Sequence, residues 1–302
     1  MEPDFPMPQG YVWQYELIRY VQLWHAAWLE KGLHILTIMG TERFYVLALP
    51  IIFWGINKRF GLRLAYSFLT SMYACNWLKD AFQVVRPIGI PGVHSAYTET
   101  SSGYALPSGH AQGGATFWGL LGLWIRKAWF WVLVVVLVFC IGFSRVYFGL
   151  HWPLDVIVGW ILGLLFAFLF WWIGQWWTYR QYAFKIRMTF AVAIPTIMLI
   201  VHTGTTSAEY AMLLLGIGVG AVLEERWLGL ELAPEWWRRV SAVVIGIAGV
   251  IALQWLIKWP VEVVLWRLVR DLLIGVWGTL GAPYVFERSG LYRKAEDNGT
   301  ID

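Results

Sequence analysis

The sequence predicts an all-α fold, a polytopic membrane helix bundle of about nine spans. Three observations predict it. Of the 302 residues, 59% are hydrophobic and only 14% are charged, against roughly 25% charged in soluble domains. The mean hydropathy is +0.57, and 22 tryptophans are spread along the chain. Basic residues then cluster at alternate breaks between the apolar runs, as they do when a chain threads a bilayer. One soluble core of this length could not hide that much apolar surface, whereas a bilayer can.

The chain opens on an acidic, proline-rich stretch, Met1–Gly10, without a basic n-region or an apolar core, so no cleavable signal is expected there. Tyr11–Leu29 is apolar and aromatic, but Glu16, Arg19, Gln22 and His25 recur every three residues. That pattern predicts an amphipathic helix in the outer interface. Spans are predicted at about 38–57, 61–79, 108–125, 128–147, 152–173, 187–202, 208–223, 239–257 and 270–286. The first and last are short, and Glu42-Arg43 interrupts the first. Small-residue pairs Gly109/Gly113, Gly159/Gly163 and Gly216/Gly220 predict close helix packing. Cys75 and Cys140 lie inside apolar runs and are expected to be unpaired packing thiols. The organisation expected is a tail and interfacial helix over 1–33, a core over 34–180 and a membrane extension with a basic tail over 181–302.

With nine spans, Lys58, Arg59 and Arg63, then Arg126 and Lys127, then Arg180, Lys185 and Arg187, and finally Arg288, Arg293 and Lys294 fall on one side. The positive-inside rule makes that side cytoplasmic. The 86–107 loop, the Arg145–His151 turn and His202–Ser207 then face outward.

Three polar blocks sit where apolar runs meet these outward loops: Lys79-x6-Arg86-Pro87, Pro107-Ser108-Gly109-His110, and Ser144-Arg145-x5-His151-x3-Asp155. Pro107-Ser108-Gly109-His110 reads as a helix start, whose free N–H groups and dipole cradle an anion. Gly109 lets the backbone approach closely, and the Ser108 hydroxyl adds a donor. His151 and Asp155 are four apart and share a helix face, so the carboxylate can hold Nδ1–H and free Nε2 for attack. Lys79 and Arg86 are read as two helical turns apart at the end of span two. With Arg145 at the end of span four, these cations can neutralise a phosphate and its transfer state.

On these blocks, residues 79–155 resemble the type 2 phosphatidate phosphatase (lipid phosphate phosphatase) superfamily, whose fixed positions all match. The resemblance implies that His151 is the nucleophile, that Asp155 orients it, and that His110 protonates the leaving oxygen and then activates water. It implies phosphate binding by Lys79, Arg86, Ser108, Gly109 and Arg145, with no metal or other cofactor. Six-span members are common, which leaves the stretch after Arg187 as an extension.

The function expected is hydrolysis of a lipid phosphate at the outer leaflet: a polyprenyl phosphate or diphosphate, phosphatidate, phosphatidylglycerophosphate or a sphingoid phosphate. Alternatives are a lipid phosphotransferase, a soluble-ester phosphatase resembling glucose-6-phosphatase, and a non-enzymatic lipid-binding or lipid-flipping protein. The expected partners are the bilayer and a membrane lipid phosphate. No nucleic acid is expected, and an oligomer is compatible with the sequence. Compact loops suggest a bacterial plasma membrane. In the outer loop, His94, Tyr97, Glu99 and Thr100–Ser102 could read a headgroup. Glu262, Arg267, Arg270 and Asp271 read as paired charges on an interfacial helix, or else as an entrance wall or dimer contact. His25, His34 and His202 are expected to be structural.

Overall fold

The computed structural model describes residues 9–24, 26–256 and 263–294. His25 and Glu262 therefore lie outside the described residues. The fold is all-α. Helices α1 (Gln9–Gln22) and α2 (Ala27–Ile38) precede α3 (Glu42–Pro50), which runs on as a π-helical turn, Ile51–Ile56. Then follow α4 (Lys58–Phe82), α5 (Gly109–Ile125), α6 (Ala128–Tyr147), α7 (Pro153–Arg180), α8 (Phe184–Val201), α9 (Thr205–Trp227) and α10 (Trp236–Leu256). Helix α11 (Val264–Val276) continues through a π turn, Trp277–Gly281, into α12 (Ala282–Arg288). A two-residue antiparallel ladder pairs Leu230–Glu231 with Arg293–Lys294.

Each predicted span coincides with helix. By length and composition, α6, α7, α8, α9 and α10 can each cross a membrane, or six spans if α2 and the bent-off Glu42–Ile56 count as one broken span. Helix α5 has 17 residues, about 25 Å at 1.5 Å per residue, somewhat short for a hydrocarbon core of roughly 30 Å.

The chain divides into two compact units, Met1–Tyr45 with Ser71–Ile173, and Val46–Thr70 with Gly174–Asp302. In the first, α5 crosses α7 closely. A Cβ on Gly163 would run into the Gln112 carbonyl, and one on Gly159 would come within 2.9 Å of the Ser108 carbonyl. The small-residue reading holds here, and a Thr116 hydroxyl bond to the Gly163 carbonyl (3.2 Å) adds a polar tie. Gly109 makes only ordinary contacts, with Met72 and Cys75.

The second unit uses the same device. Gly216 and Gly275 bring α9 and α11 together backbone to backbone, and Gly220 faces the Thr279 side chain. Gly246 and Gly249 of α10 leave hollows for the rings of Trp54 and Trp277. Trp54 Nε1 donates to Gly278 O at 2.9 Å and Trp277 Nε1 to Gly246 O at 3.0 Å, tying the two π turns into one core. The Glu224 carboxylate is fully buried and pairs with Lys58. Arg270 pairs with Asp271 at 2.9 Å and Arg267 with Glu209, so the paired-charge reading of that cluster holds for these residues. Cys75 and Cys140 are both free.

The N-terminal segment differs from expectation. Its helix stops at Gln22, and α2 begins afresh at Ala27. Helix α1 is amphipathic, but its buried face holds Gln14, Tyr15, Ile18 and Gln22, not apolar residues alone. Glu16 is exposed, and the Arg19 guanidinium lies 5.6 Å over the Tyr15 ring. The two glutamines turn inward because each finds backbone partners in the first unit.

Candidate active site

Helices α4 to α7 alternate in direction, so the C-termini of α4 and α6 and the N-termini of α5 and α7 meet at one end of the first unit. All three polar blocks are there. Helix α4 ends at Phe82 because Gln83 turns left-handed, with φ of +51°. Lys79 therefore sits in the last turn, while Arg86 reaches the site from an extended loop and not from a second helical turn. Helix α5 starts at Gly109 with Ser108 as its N-cap. Pro107 stands two residues before the helix and not in its first turn. Arg145 is in the last turn of α6. Helix α7 begins at Pro153, so His151 lies in the preceding turn, not on the helix with Asp155.

The histidine and the carboxylate still meet. His151 Nδ1 donates to Asp155 Oδ2 at 3.2 Å, and that oxygen also accepts the Trp152 N–H at 2.8 Å. The second bond has the form of a capping-box return, from the third helical position to the N-cap N–H, and it fixes the carboxylate independently of the histidine. With Nδ1–H held this way, Nε2 carries the lone pair. Arg86 Nη1 donates to it at 2.8 Å. Ser108 N–H donates to Asp155 O at 2.9 Å, joining the start of α5 to the start of α7.

The cations are ordered by the loop between α4 and α5 and by neighbouring backbone. Arg86 donates to the carbonyls of Ser102, Gly103, Tyr104 and Leu150 at 2.8–3.2 Å. Lys79 Nζ donates to Tyr104 O at 2.9 Å. Arg145 has no exposed surface and donates to Thr37 Oγ1, Thr100 Oγ1, Thr100 O and Ser101 Oγ at 2.7–3.4 Å. Thr100 and Ser101 thus face a site cation. Tyr97 stacks on His34 with ring centroids 4.0 Å apart, and His94 is engaged through its backbone.

Three buried polar atoms at this end have no hydrogen-bond partner among the described residues: Ser108 Oγ, His110 Nε2 and Arg145 Nε. Buried polar groups are nearly always paired within the chain or with something bound. A hydroxyl, an imidazole and a guanidinium N–H together suit an anion with several oxygens. Burial holds the His151 ring well below the usual imidazole range, and Arg86, Lys79, Arg145 and His110 push the same way. The ring is therefore neutral at pH 7. Burial also lowers Arg86, against the Asp155 carboxylate, which raises it.

Comparison with known proteins fits this geometry. The family model described as "PAP2 superfamily" matches residues 60–179, and one described as "PAP2 superfamily phosphatase, transmembrane extension" matches residues 208–294. An undecaprenyl-diphosphatase of Sulfolobus acidocaldarius is 34% identical over 158 residues, 51% of this chain and 74% of that protein. The chain belongs to the PAP2 superfamily.

Among other PAP2 relatives, sphingosine-1-phosphate phosphatase 1 of Mus musculus is 28% identical over 66% of this chain, which spans only 49% of the mouse protein. A solved transmembrane PAP2-type phosphatidylglycerolphosphate phosphatase from Bacillus subtilis aligns with 56% of this chain and 88% of its own, at 23% identity and a TM-score of 0.48. With the matched transmembrane extension and five helices apolar enough to span among the described residues, this PAP2 protein is an integral membrane protein.

Sequence reasoning missed several residues at this candidate site. Thr37 gave no signal, because a threonine in an apolar run reads as packing. Gly149 carried one. It lies in the turn before His151 with φ of +62°, and a Cβ there would come within 2.5 Å of the His94 carbonyl. Only glycine meets both conditions without strain. Gln14 and Gln22 gave none, since nothing in their spacing distinguishes a buried from a solvated glutamine.

Proposed function

We propose that this protein is a lipid phosphate phosphatase working through a phosphohistidine on His151. The observation that carries the reading is the placement of His151 between Asp155, which orders its ring, and Arg86, near three buried polar atoms that have no partner among the described residues. In the first step Nε2 attacks phosphorus, the bond from phosphorus to the ester or anhydride oxygen breaks, and His110, as the imidazolium beside the bound anion, gives that oxygen a proton and becomes neutral. In the second, His110 takes a proton from water, whose oxygen displaces the histidine and releases inorganic phosphate. Arg86 covers the attacking atom in the free site and is placed to exchange that bond for a phosphate oxygen as substrate enters. Lys79, Arg145, Ser108 and the Gly109 backbone hold the remaining oxygens and the charge that builds in transfer.

A lipid tail is supported by the rim. Phe82, Val85, Ile88 and Tyr104 flank Lys79 and Arg86 and are exposed, Val85 at 77%. Uncovered apolar side chains beside an anion site suit a headgroup that remains attached to its tail. The names of the relatives suggest undecaprenyl diphosphate, sphingosine 1-phosphate and phosphatidylglycerophosphate as first substrates. Catalysis is assigned to 34–180 and an accessory membrane role to 181–302. A nine-span arrangement with its basic connections in the cytoplasm would put the site outside, in keeping with a bacterial plasma membrane.

Phosphate release by the detergent-purified protein, in EDTA, from those three lipids, phosphatidate and glucose 6-phosphate tests this. Turnover of at least one lipid is expected, and its loss in His151→Ala by at least a thousandfold. Undiminished turnover in His151→Ala would sink the phosphohistidine mechanism.

A further inference from the structure

We infer that α1 is a splint for the nucleophile turn, and that Gln14 and Gln22 are positioning residues for His151. This rests on the phosphohistidine reading above. His151 lies in the short turn between α6, ending at Tyr147, and α7, starting at Pro153. Helix α1 grips both sides of that turn. Gln22 Nε2 donates to Tyr147 O at 2.8 Å, two residues after Arg145. Gln14 Oε1 accepts the Leu154 N–H at 3.1 Å, one residue before Asp155. That N–H is in the first turn of α7, where the helix itself supplies no acceptor.

The remaining bonds anchor the splint. Gln22 also closes a two-bond clasp with the His94 backbone, Nε2 to O at 2.7 Å and N to Oε1 at 3.0 Å. Tyr15 Oη donates to Pro91 O at 3.0 Å. Between the glutamines, Tyr15 and Ile18 pack with Val146, Trp152 and Val156, from the end of α6, the turn and the start of α7. Tyr11 meets the Trp152 ring edge-on at 4.9 Å.

Both glutamines are buried, at 1% and 6% exposure. A buried amide is costly to hold without partners, and apolar residues would pack this face equally well. What the amides add is direction. They fix the backbone either side of His151, and thereby the line from Nε2 to phosphorus. Misplacement of a reacting atom by about 1 Å can cost a hundredfold in rate. Neither glutamine is hydrogen-bonded to a phosphate-binding group among the described residues, so the splint acts on the chemical step and not on phosphate affinity.

The test uses the full-length protein, the lipid of the panel turned over fastest, and inorganic phosphate as a competitive inhibitor. Gln14→Met keeps the length and removes the acceptor, while Gln14→Glu keeps an oxygen in place. Expected are a fall in kcat of about tenfold in Gln14→Met, a phosphate Ki within twofold of wild type, and recovery of most of the rate in Gln14→Glu. Gln22→Met is expected to behave likewise, and it carries the test if Gln14→Met does not purify folded. A kcat within twofold of wild type in both Met variants would overturn the splint. So would a phosphate Ki that worsens in step with kcat, or a loss that Gln14→Glu fails to restore. His151→Ala assayed alongside separates the two readings. If it retains turnover, the phosphohistidine reading falls and the splint falls with it. If it is dead while the Met variants run at full rate, only the splint falls.

Discussion

A histidine attacks phosphorus only while its ring is neutral, and His151 is kept so by burial and by four neighbouring groups. Its own titration therefore lies below the usual imidazole range. Removing a lowering influence raises the pKa. Arg86→Ala should thus move the His151 titration to higher pH, toward the ordinary imidazole value of about 6.5, read from imidazole carbon shifts across a pH series. An unmoved titration would show that burial alone sets it. Gly149 gives a prediction of a different kind. At φ of +62° and against the His94 carbonyl, Gly149→Ala should cost on the order of 1–3 kcal/mol and lower kcat along with the apparent Tm. The ionisable members of the site were legible in the sequence because charge in an apolar chain is rare and needs a reason. The uncharged groups that orient them, Thr37, Gln14 and Gln22, were not, because only three-dimensional partners distinguish them from ordinary packing.

At the scale of elements, the long helices were the easiest to foresee. Runs such as Ala128–Tyr147 and Trp152–Ile173 are apolar on all faces, and their structural counterparts are α6 and α7. Helix ends were harder. Gln83 adopts a left-handed conformation without being glycine, so the stop that puts Arg86 on a loop has no clear sequence mark. The offset of His151 from α7 follows from Pro153 taking the first helical position, which leaves Trp152 as the cap and His151 outside. The α5–α7 crossing carries a direct consequence, since Gly163 touches the Gln112 backbone one turn beyond Ser108–His110. Gly163→Leu should push α5 outward, at a typical overpacking cost of about 1–3 kcal/mol, and separate His110 from His151. Turnover in this variant should fall more than the Tm shift explains, whereas Gly109→Ala, with its nearest contact at 3.5 Å, should perturb the helix position far less.

At the scale of the whole molecule, the family signature occupies the first unit while about half of the chain builds the second, with its own tryptophan-filled core and its own ion pair on the buried Glu224. Glu224 has no exposed surface, accepts the Leu230 N–H at 3.2 Å and pairs with Lys58. Helix α4 runs from its basic Lys58–Arg63 end to Lys79 and Phe82. A 25-residue helix is about 37 Å long at 1.5 Å per residue, longer than the hydrocarbon core. If it spans, its two ends belong on opposite sides of the membrane, and the positive-inside rule predicts Lys58 in the cytoplasm and Lys79 outside. The α5–α6 connection at Arg126–Lys127 must then be cytoplasmic again, and the loop carrying Glu99 extracytoplasmic. Both Glu99 and Lys127 are exposed, so single cysteines at these positions, with Cys75 and Cys140 replaced by serine, report the arrangement directly. Glu99→Cys should react with a membrane-impermeant maleimide in intact cells, and Lys127→Cys only after permeabilisation. The reverse pattern would place the phosphate site in the cytoplasm and require a substrate presented from the inner leaflet. Labelling of both from outside would show that α5 does not cross, leaving the Ser108–His110 cradle as the mouth of a re-entrant helix and not the end of a span.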